Sequence, residues 1–403
     1  MVVKVTRKIR RAIYNPRLLF RRAVNITLDL SIGYWVALLI RILHPIIRIR
    51  VGRVVGSRIG HMIGTCEMYL YEDALGRNKG YRDYFYFSDE PVNKALVEMF
   101  ARKMRFSKLA ETVYRANIRL PGHSAYVVPE HSPAEYISLK VPCNVEPNKK
   151  IVEDGDAWLA SMGVSPDMPL ILFANRDTTF LNYINPDFNW KYHDYRNCNI
   201  ESFIPMAIAM TGLGYAAIRL GYRVATPLPG TPPYIVDYAS VGWSEERDIY
   251  LAHRCRMFIA TTSGIADLGR LFRKPTAITN TVPFLSAVNF KSQPADLWIP
   301  KLFWAAREER LLSFSEMAEF GGGQVCRSED YENAGIELID NTADEITELA
   351  LEIEEIIEGR QVVSEDDQEL YRRFWHIVLN GRPWQGESTI ALSFLRRHRS
   401  LLD

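Results

Sequence analysis

Apolar residues recur along this chain in two rhythms. Short unbroken runs suit buried strands, and runs spaced three or four apart suit helices. Residues 46–55 (IIRIRVGRVV) form a strand candidate. A turn of Gly56-Ser57-Arg58-Ile59-Gly60-His61 follows, and Met62 starts a helix. Residues 84–87 (YFYF) predict a second strand. Ser88-Asp89-Glu90-Pro91 then opens a helix, with Ser or Asp as cap and Pro in the first turn, that extends to residue 103. Further on, residues 154–162 read as helix, 170–174 as strand, 200–213 as helix behind Asn199 as cap, 215–220 and 235–238 as strands, and 246–255 as helix. The stretch MFIATTSGIADLGRLFRKPTAITN (257–280) condenses the pattern into a strand, a Thr/Ser-Gly turn at 261–264, a helix over 265–272 and a buried strand over 276–279. Strands separated by helices of this length predict βαβ units and parallel sheets, hence an α/β fold.

The last quarter changes character. Thr342 and Glu345 have the spacing of a capping box. Ile346, Leu349, Ile353 and Ile356 make one apolar stripe, on a helix with seven acidic residues between Asp344 and Glu358. The acidic side reads as a solvated face. Residues 371–379 predict another helix, and residues 390–402 end the chain with Arg396, Arg397, His398 and Arg399.

Length then bears on organisation. At 403 residues two domains are expected, and the Pro-containing stretch 129–150 is a plausible join. An apolar fraction of 47% with 24% charged residues is that of an ordinary globular protein, and a net charge of +1 argues against a generic nucleic-acid binder. The five cysteines (66, 143, 198, 255, 326) are scattered, with no CxxC pair and no zinc spacing. That usage suits a reducing cytoplasm. Charge is uneven, however. Residues 1–50 hold eleven Lys/Arg and one acid, Asp29. Val2, Val5, Ile9 and Ala12/Ile13 recur at helical spacing among Lys4, Lys8, Arg10 and Arg11, and Tyr34 and Trp35 lie beyond. The apolar stretch 31–40 is too short to span a bilayer. Residues 1–45 therefore read as a basic amphipathic segment lying on an anionic membrane surface, on the cytoplasmic face. A basic helix packed on the protein or a partner is the alternative.

Candidate chemistry clusters just after predicted strands, where open α/β sheets bind ligands. A hydroxyl-rich turn ending in Gly offers backbone N–H groups to an anion, so Thr262, Ser263 and Gly264 form an anion-site candidate; the same residues also make an ordinary helix start. Arg176 and Asp177 follow one strand, His193 and Arg196 precede a helix, Arg219 ends another strand, and Asp237-Tyr238 ends the next. An Arg at a strand end suits a phosphate, although each also fits a structural ion pair. Asp154-Gly155-Asp156 has the spacing of a metal-binding D-x-D motif but reads as a helix cap.

The ordered series ANRD, HDYRNCNIESF, GYAAIRLG, DYA, ERDIYLAHRCRMFIATTSG, LFRKP and ITN, spanning residues 170–280, resembles bacterial glycosyltransferases of surface-polysaccharide gene clusters. Arg58-Ile59-Gly60-His61 with Glu67 and Tyr69-Leu70 is similar to that family's shorter first-domain motif. The layout of an Arg followed later by Ser-Gly is distantly similar to GT-B fucosyltransferases. The resemblance implies a GT-B-like architecture of two Rossmann-like domains facing a cleft. Residues 46–150 would form an acceptor domain, residues 151–362 a nucleotide-sugar domain, and residues 363–403 helices packing back on the first domain. It implies no bound metal or other cofactor, with arginines stabilising the departing diphosphate. Expected donor-site residues are Arg176, Asp177, His193, Arg196, Arg219, Asp237, Tyr238, Asp248, Thr262, Ser263 and Gly264. His61, exposed by a turn at Gly60, is the candidate base, with Glu67 next. The activity expected is transfer of a hexosyl or deoxyhexosyl unit from a nucleotide-sugar to a glycan or lipid-linked acceptor. A nucleotide-sugar epimerase and a non-catalytic, membrane-peripheral subunit of a polysaccharide assembly complex are the rival readings.

Overall fold

The computed structural model describes residues 24, 27, 29–130, 142–230, 232–286, 295–320, 325–380 and 389–403. The helical pattern read over residues 2–13 lies outside the described residues, as do positions 131–141 of the expected join. The chain divides into two compact units. One comprises Met1–Val92 with Phe100–His131, and the other Asn93–Met99 with Ser132–Asp403.

In the first unit, strands β1 (Arg48–Val54) and β2 (Tyr81–Phe87) pair in parallel. Their register sets Arg50 opposite Asp83. The two make a buried, two-pronged ion pair, Arg50 Nε to Asp83 Oδ1 at 2.9 Å and Nη2 to Oδ2 at 2.7 Å. Tyr69 donates its hydroxyl to Asp83 at 3.0 Å, Asn78 accepts from Arg50 at 2.7 Å, and the guanidinium lies 3.8 Å from the Tyr81 ring centroid. Every polar atom of this cluster that faces the core has a counterpart there, the condition under which buried charge is tolerated. The connecting helix, Ile59–Ala74, starts three residues before the expected Met62, behind Arg58 in extended conformation. Gly60 and His61 therefore lie in its first turn, not in an exposed loop. The next helix, Lys94–Ala101, most of which is grouped with the second unit, is capped by Asn93, whose Oδ1 accepts from Leu96 N at 2.8 Å. Asp89, expected as its cap, instead accepts from Gly56 N and Ser57 N.

The second unit holds the main sheet. Its strands are β3 (Leu170–Ala174), β4 (Ala216–Arg219), β5 (Ile235–Val236), β6 (Met257–Thr261), β7 (Thr276–Thr281) and β8 (Leu297–Pro300). Three further strands, β9 (Leu302–Ala305), β10 (Arg310–Leu311) and β11 (Ile336–Ile339), pair antiparallel in the order β10-β9-β11. The last, β12 (Thr389–Ile390), returns to the main sheet, whose order is β12-β8-β7-β6-β3-β4-β5 with every pair parallel. All residues of β3, β4, β6 and β7 are buried, which is why β3 and β6 read as apolar runs rather than alternations. From β3 the chain moves outward through β4 and β5, then returns to the other side of β3 with β6. The C-terminal ends of β3 and β6 thus flank a topological switch point, the usual ligand position in open parallel sheets.

Two expectations change in this unit. Asp154-Gly155-Asp156 is not a cap but lies inside the helix Lys149–Ser161, whose cap is Asn148. Gly155 is required there because a Cβ would sit 2.2 Å from the Tyr250 ring. The acidic helix, Ala343–Ile357, begins with the expected Thr342–Glu345 capping box, but its acids are not simply solvated. Glu345, Glu352 and Glu354 are buried, and Glu352 accepts from Leu392 N, Ser393 N and Ser393 Oγ at 2.9, 2.9 and 2.7 Å. It thereby caps the helix Leu392–Arg397 from another part of the chain. The C-terminal stretch groups with the second unit. It supplies edge strand β12 and the helix Glu365–Val378, whose Asp367 pairs with Arg396 at 2.7 Å.

Candidate functional site

The end of β3 carries Asn175, Arg176 and Asp177. A short helical segment, Lys191–Arg196, is fastened against it. Arg176 Nη1 donates to His193 O at 3.0 Å and to Asn197 Oδ1 at 2.6 Å. Cys198 N donates to Arg176 O, and Asn175 Nδ2 to Cys198 O at 2.9 Å. From the start of β9's neighbourhood, buried Lys301 donates to Asn197 O at 2.7 Å while pairing with Asp340 at 2.6 Å. These bonds fix where Arg196 stands, and Arg196 reaches the end of β6 by donating from Nη2 to Thr262 O.

Two guanidinium groups are therefore gathered at the β3–β6 switch point. Burial, and then the like charge of Arg196, push the Arg176 pKa down to about 10 despite Tyr195, Asp194 and Asp177 nearby. Arg176 remains a cation at neutral pH, but its charge is held at a cost that a bound anion would relieve. The turn after β6 adds donors. Thr262 Oγ1 is buried and has no hydrogen-bond partner. Among the described residues, the N–H groups of Ser263, Gly264 and Ile265 donate to no protein acceptor, whereas those of Ala266, Asp267 and Leu268 are used within the turn. The helix that follows, Ala266–Leu271, is six residues long, shorter than the expected 265–272. So short a helix contributes little macrodipole, and the arginines and Thr262 carry the electrostatic case.

The remaining expected donor residues serve the loops around this point. Arg219 is fully buried, donating to Thr226 O at 2.7 Å and pairing with Asp237 at 3.4 Å. Asp237 also accepts from Leu228 N at 2.9 Å and Ser240 Oγ at 2.6 Å. Asp177 accepts from Thr179 N at 2.8 Å and Ala225 N at 3.0 Å, tying the loop after β4 to the loop after β3. Tyr238 is fully buried against Trp158, and its hydroxyl is bonded to Ser244 on both sides. Asp248 is buried, accepts from Trp243 Nε1 at 3.0 Å, and is pushed up to about 7 by burial. Arg219, Tyr238 and Asp248 thus present no open surface to a ligand and act as positioning residues for residues 220–248.

Sequence reading passed over an aromatic run beside Arg176. Phe188 and Trp190 lie 4.5 Å apart, Tyr192 and His193 4.0 Å apart, and Trp190 stacks on His193 at 6.4 Å. Its signal was in plain view as F-x-W-x-Y-H over 188–193. Lys301 and Asn197, which hold the segment, gave no such signal, because their partners are distant in sequence.

The two candidate bases are in the first unit. His61 is half-buried in the first turn of the helix Ile59–Ala74. Glu67 is only 1% exposed, and the six-residue spacing turns it about 120° from His61 around the helix. Its carboxylate is enclosed in the core of that unit and is not open to an acceptor. Among the described residues, no group of three or more His, Cys, Asp or Glu is placed to hold a metal ion, and no helix is long and apolar enough to cross a membrane.

No protein-family model matches the chain. No curated protein matches it in sequence. Comparison with solved structures finds likeness to an ADP-heptose lipopolysaccharide heptosyltransferase II of E. coli, at 12% identity and a TM-score of 0.40, covering 77% of this chain and 99% of that one. A glycosyltransferase of family 9 from Veillonella parvula is similar at 12% identity and a TM-score of 0.37, covering 63% and 86%. The wall teichoic acid polymerase TagF is similar at 11% identity and a TM-score of 0.29, covering 89% and 98%. At TM-scores of 0.40 and below, such likeness carries no inference about activity, and the chain's own residues have to supply it.

Proposed function

We propose that the chain is a glycosyltransferase that binds the diphosphate of a nucleotide-sugar at the β3–β6 switch point and transfers the sugar to a glycan or lipid-linked acceptor in bacterial surface-polysaccharide synthesis. The observation that carries this reading is the Arg176–Arg196 pair beside the unpartnered Thr262 hydroxyl. Two fixed cations and a ring of open donors match a doubly charged leaving group better than a single carboxylate. The ordered resemblance over residues 170–280 supports the same ligand class. The aromatic faces of Trp190 and Tyr192 suit a sugar or base ring next to that anion.

In the reaction, the acceptor hydroxyl oxygen forms a bond to the anomeric carbon. The bond from that carbon to the diphosphate breaks, and its electron pair leaves with the nucleoside diphosphate. Arg176, Arg196 and Thr262 stabilise the charge that develops there, so the departing group needs no divalent cation. The acceptor hydroxyl gives up its proton to a general base as the new bond forms.

A turnover assay with UDP-, GDP-, ADP- and CMP-sugars, with and without extracted glycan acceptors and in EDTA, tests the reading. Release of nucleotide that depends on acceptor and survives EDTA is expected. Acceptor-independent conversion to a new sugar nucleotide would instead indicate an epimerase, and neither binding nor turnover would indicate a scaffold subunit.

A further inference from the structure

The helix Tyr34–Leu43 is amphipathic in an unusual sense. Its inner side is well packed. Ala37 and Ile40 are buried with Val51, Tyr86, Ala110, Val113 and Ala116. Gly33, just before it, approaches the helix Lys108–Asn117 so closely that a Cβ would lie 2.7 Å from Thr112 O. Arg41, the only charged residue of the helix, is turned to the protein. It donates to Pro121 O at 2.7 Å and Asn117 Oδ1 at 2.8 Å, and lies 4.4 Å from the Tyr126 ring centroid.

The outer side is an apolar ridge. Trp35, Leu39, Ile42 and Ile46 are 74, 52, 73 and 82% exposed, and Leu38 is exposed between them. Trp35, Leu38, Leu39 and Ile42 follow the i, i+3, i+4, i+7 spacing of one helical stripe, and Ile46 lies in the turn after the helix. Isolated exposed apolar residues are ordinary, but a continuous ridge led by Trp marks an interaction surface. The chain on its N-terminal side supplies the complementary clue. Residues 1–28 contain eight Lys/Arg and no Asp or Glu. An apolar stripe fixed to a folded unit, adjoining a strongly basic segment, suits a surface with hydrocarbon beneath anionic headgroups. A second copy of the chain would bring two basic segments together, and a nucleic acid would meet a ridge with no cation on it.

We propose that Trp35, Leu38, Leu39, Ile42 and Ile46 form a docking ridge that inserts into the interface of an anionic lipid bilayer. This is independent of the donor site, and it adds to the expectation for residues 1–45 the side chains that enter the lipid and the orientation of Arg41 away from it.

Flotation of the full chain with vesicles of phosphatidylcholine, with and without phosphatidylglycerol, tests it. The wild type should float with the anionic vesicles and far less with neutral ones. Trp35→Ser/Leu39→Ser/Ile42→Ser should reduce the floated fraction about tenfold or more, as should Trp35→Ser to a lesser degree, with melting temperatures unchanged because these side chains are exposed. A wild type that stays at the bottom with anionic vesicles would overturn the proposal. Flotation of the triple variant equal to wild type, or equal wild-type flotation on both vesicle types, would overturn it as well.

Discussion

At the residue scale, the informative groups are those whose charge is held in an unfavourable place. Arg176, buried beside the like charge of Arg196, is one, and so, differently, is Asp248. Burial raises its carboxyl to about 7 from an ordinary 3.8. Between roughly pH 4 and 7 the folded chain keeps a proton that the unfolded chain has released, so stability contributed by this group falls as pH rises through that window. Asp248→Asn removes the titration while keeping an acceptor for Trp243. Its melting temperature should gain several degrees on wild type at pH 8 and clearly less at pH 5; an equal gain at both would contradict the assignment. Asp83 is the opposite case, a buried carboxylate fully paired with Arg50. Asp83→Ala leaves the guanidinium uncompensated and should lower stability by about 3–5 kcal/mol in denaturant titration. A loss below about 1 kcal/mol would mean the pair is hydrated in solution. Of these residues, the arginines at 176 and 196 were legible as candidates because a cation after a predicted strand stands out. Whether an Arg is spent or open was not legible. Arg219 looked the same on the page and proves to be enclosed, because its partners Thr226 and Asp237 sit on a loop whose course no local pattern encodes.

At the element scale, the buried central strands were the easiest part to read. Unbroken apolar runs over 170–174 and 257–260 stand out whatever surrounds them, and β3 matches its expected bounds. The edge strand β12, two residues long, is defined by its neighbour's hydrogen bonds and was not read as a strand, while β5 covers only the first two of the four residues read as strand over 235–238. Helix starts were misplaced where a tertiary partner replaces the local signal. Asp89 looked like a cap and instead binds the N–H groups of Gly56 and Ser57. Asp154-Gly155-Asp156 invited a cap or metal reading, yet Gly155 is there so that two helices can meet at Tyr250. Gly155→Ala should therefore destabilise by about 1–3 kcal/mol or more through overpacking, although Ala is the better helix former. A stabilised variant in thermal melts would show that this contact relaxes freely.

At the scale of the molecule, the α/β class and the division into two units follow from strands alternating with helices over more residues than one core holds. The seven-stranded parallel sheet brings residues 176, 196 and 262 together although they are up to 86 positions apart, because β6 returns to lie beside β3. The family resemblance had grouped these residues in one donor site, but the strand order that joins them was not visible in the sequence, since it depends on crossovers rather than on periodicity. The most direct test of the account is calorimetric titration of UDP, GDP and ADP, in EDTA, into wild type, Arg176→Ala and Arg196→Ala. The account predicts that wild type binds at least one nucleoside diphosphate and that each variant, folded by its melting curve, weakens that binding more than about tenfold, the loss of one charge-assisted contact. Binding of no diphosphate by wild type, or affinities unchanged in both variants, would contradict it.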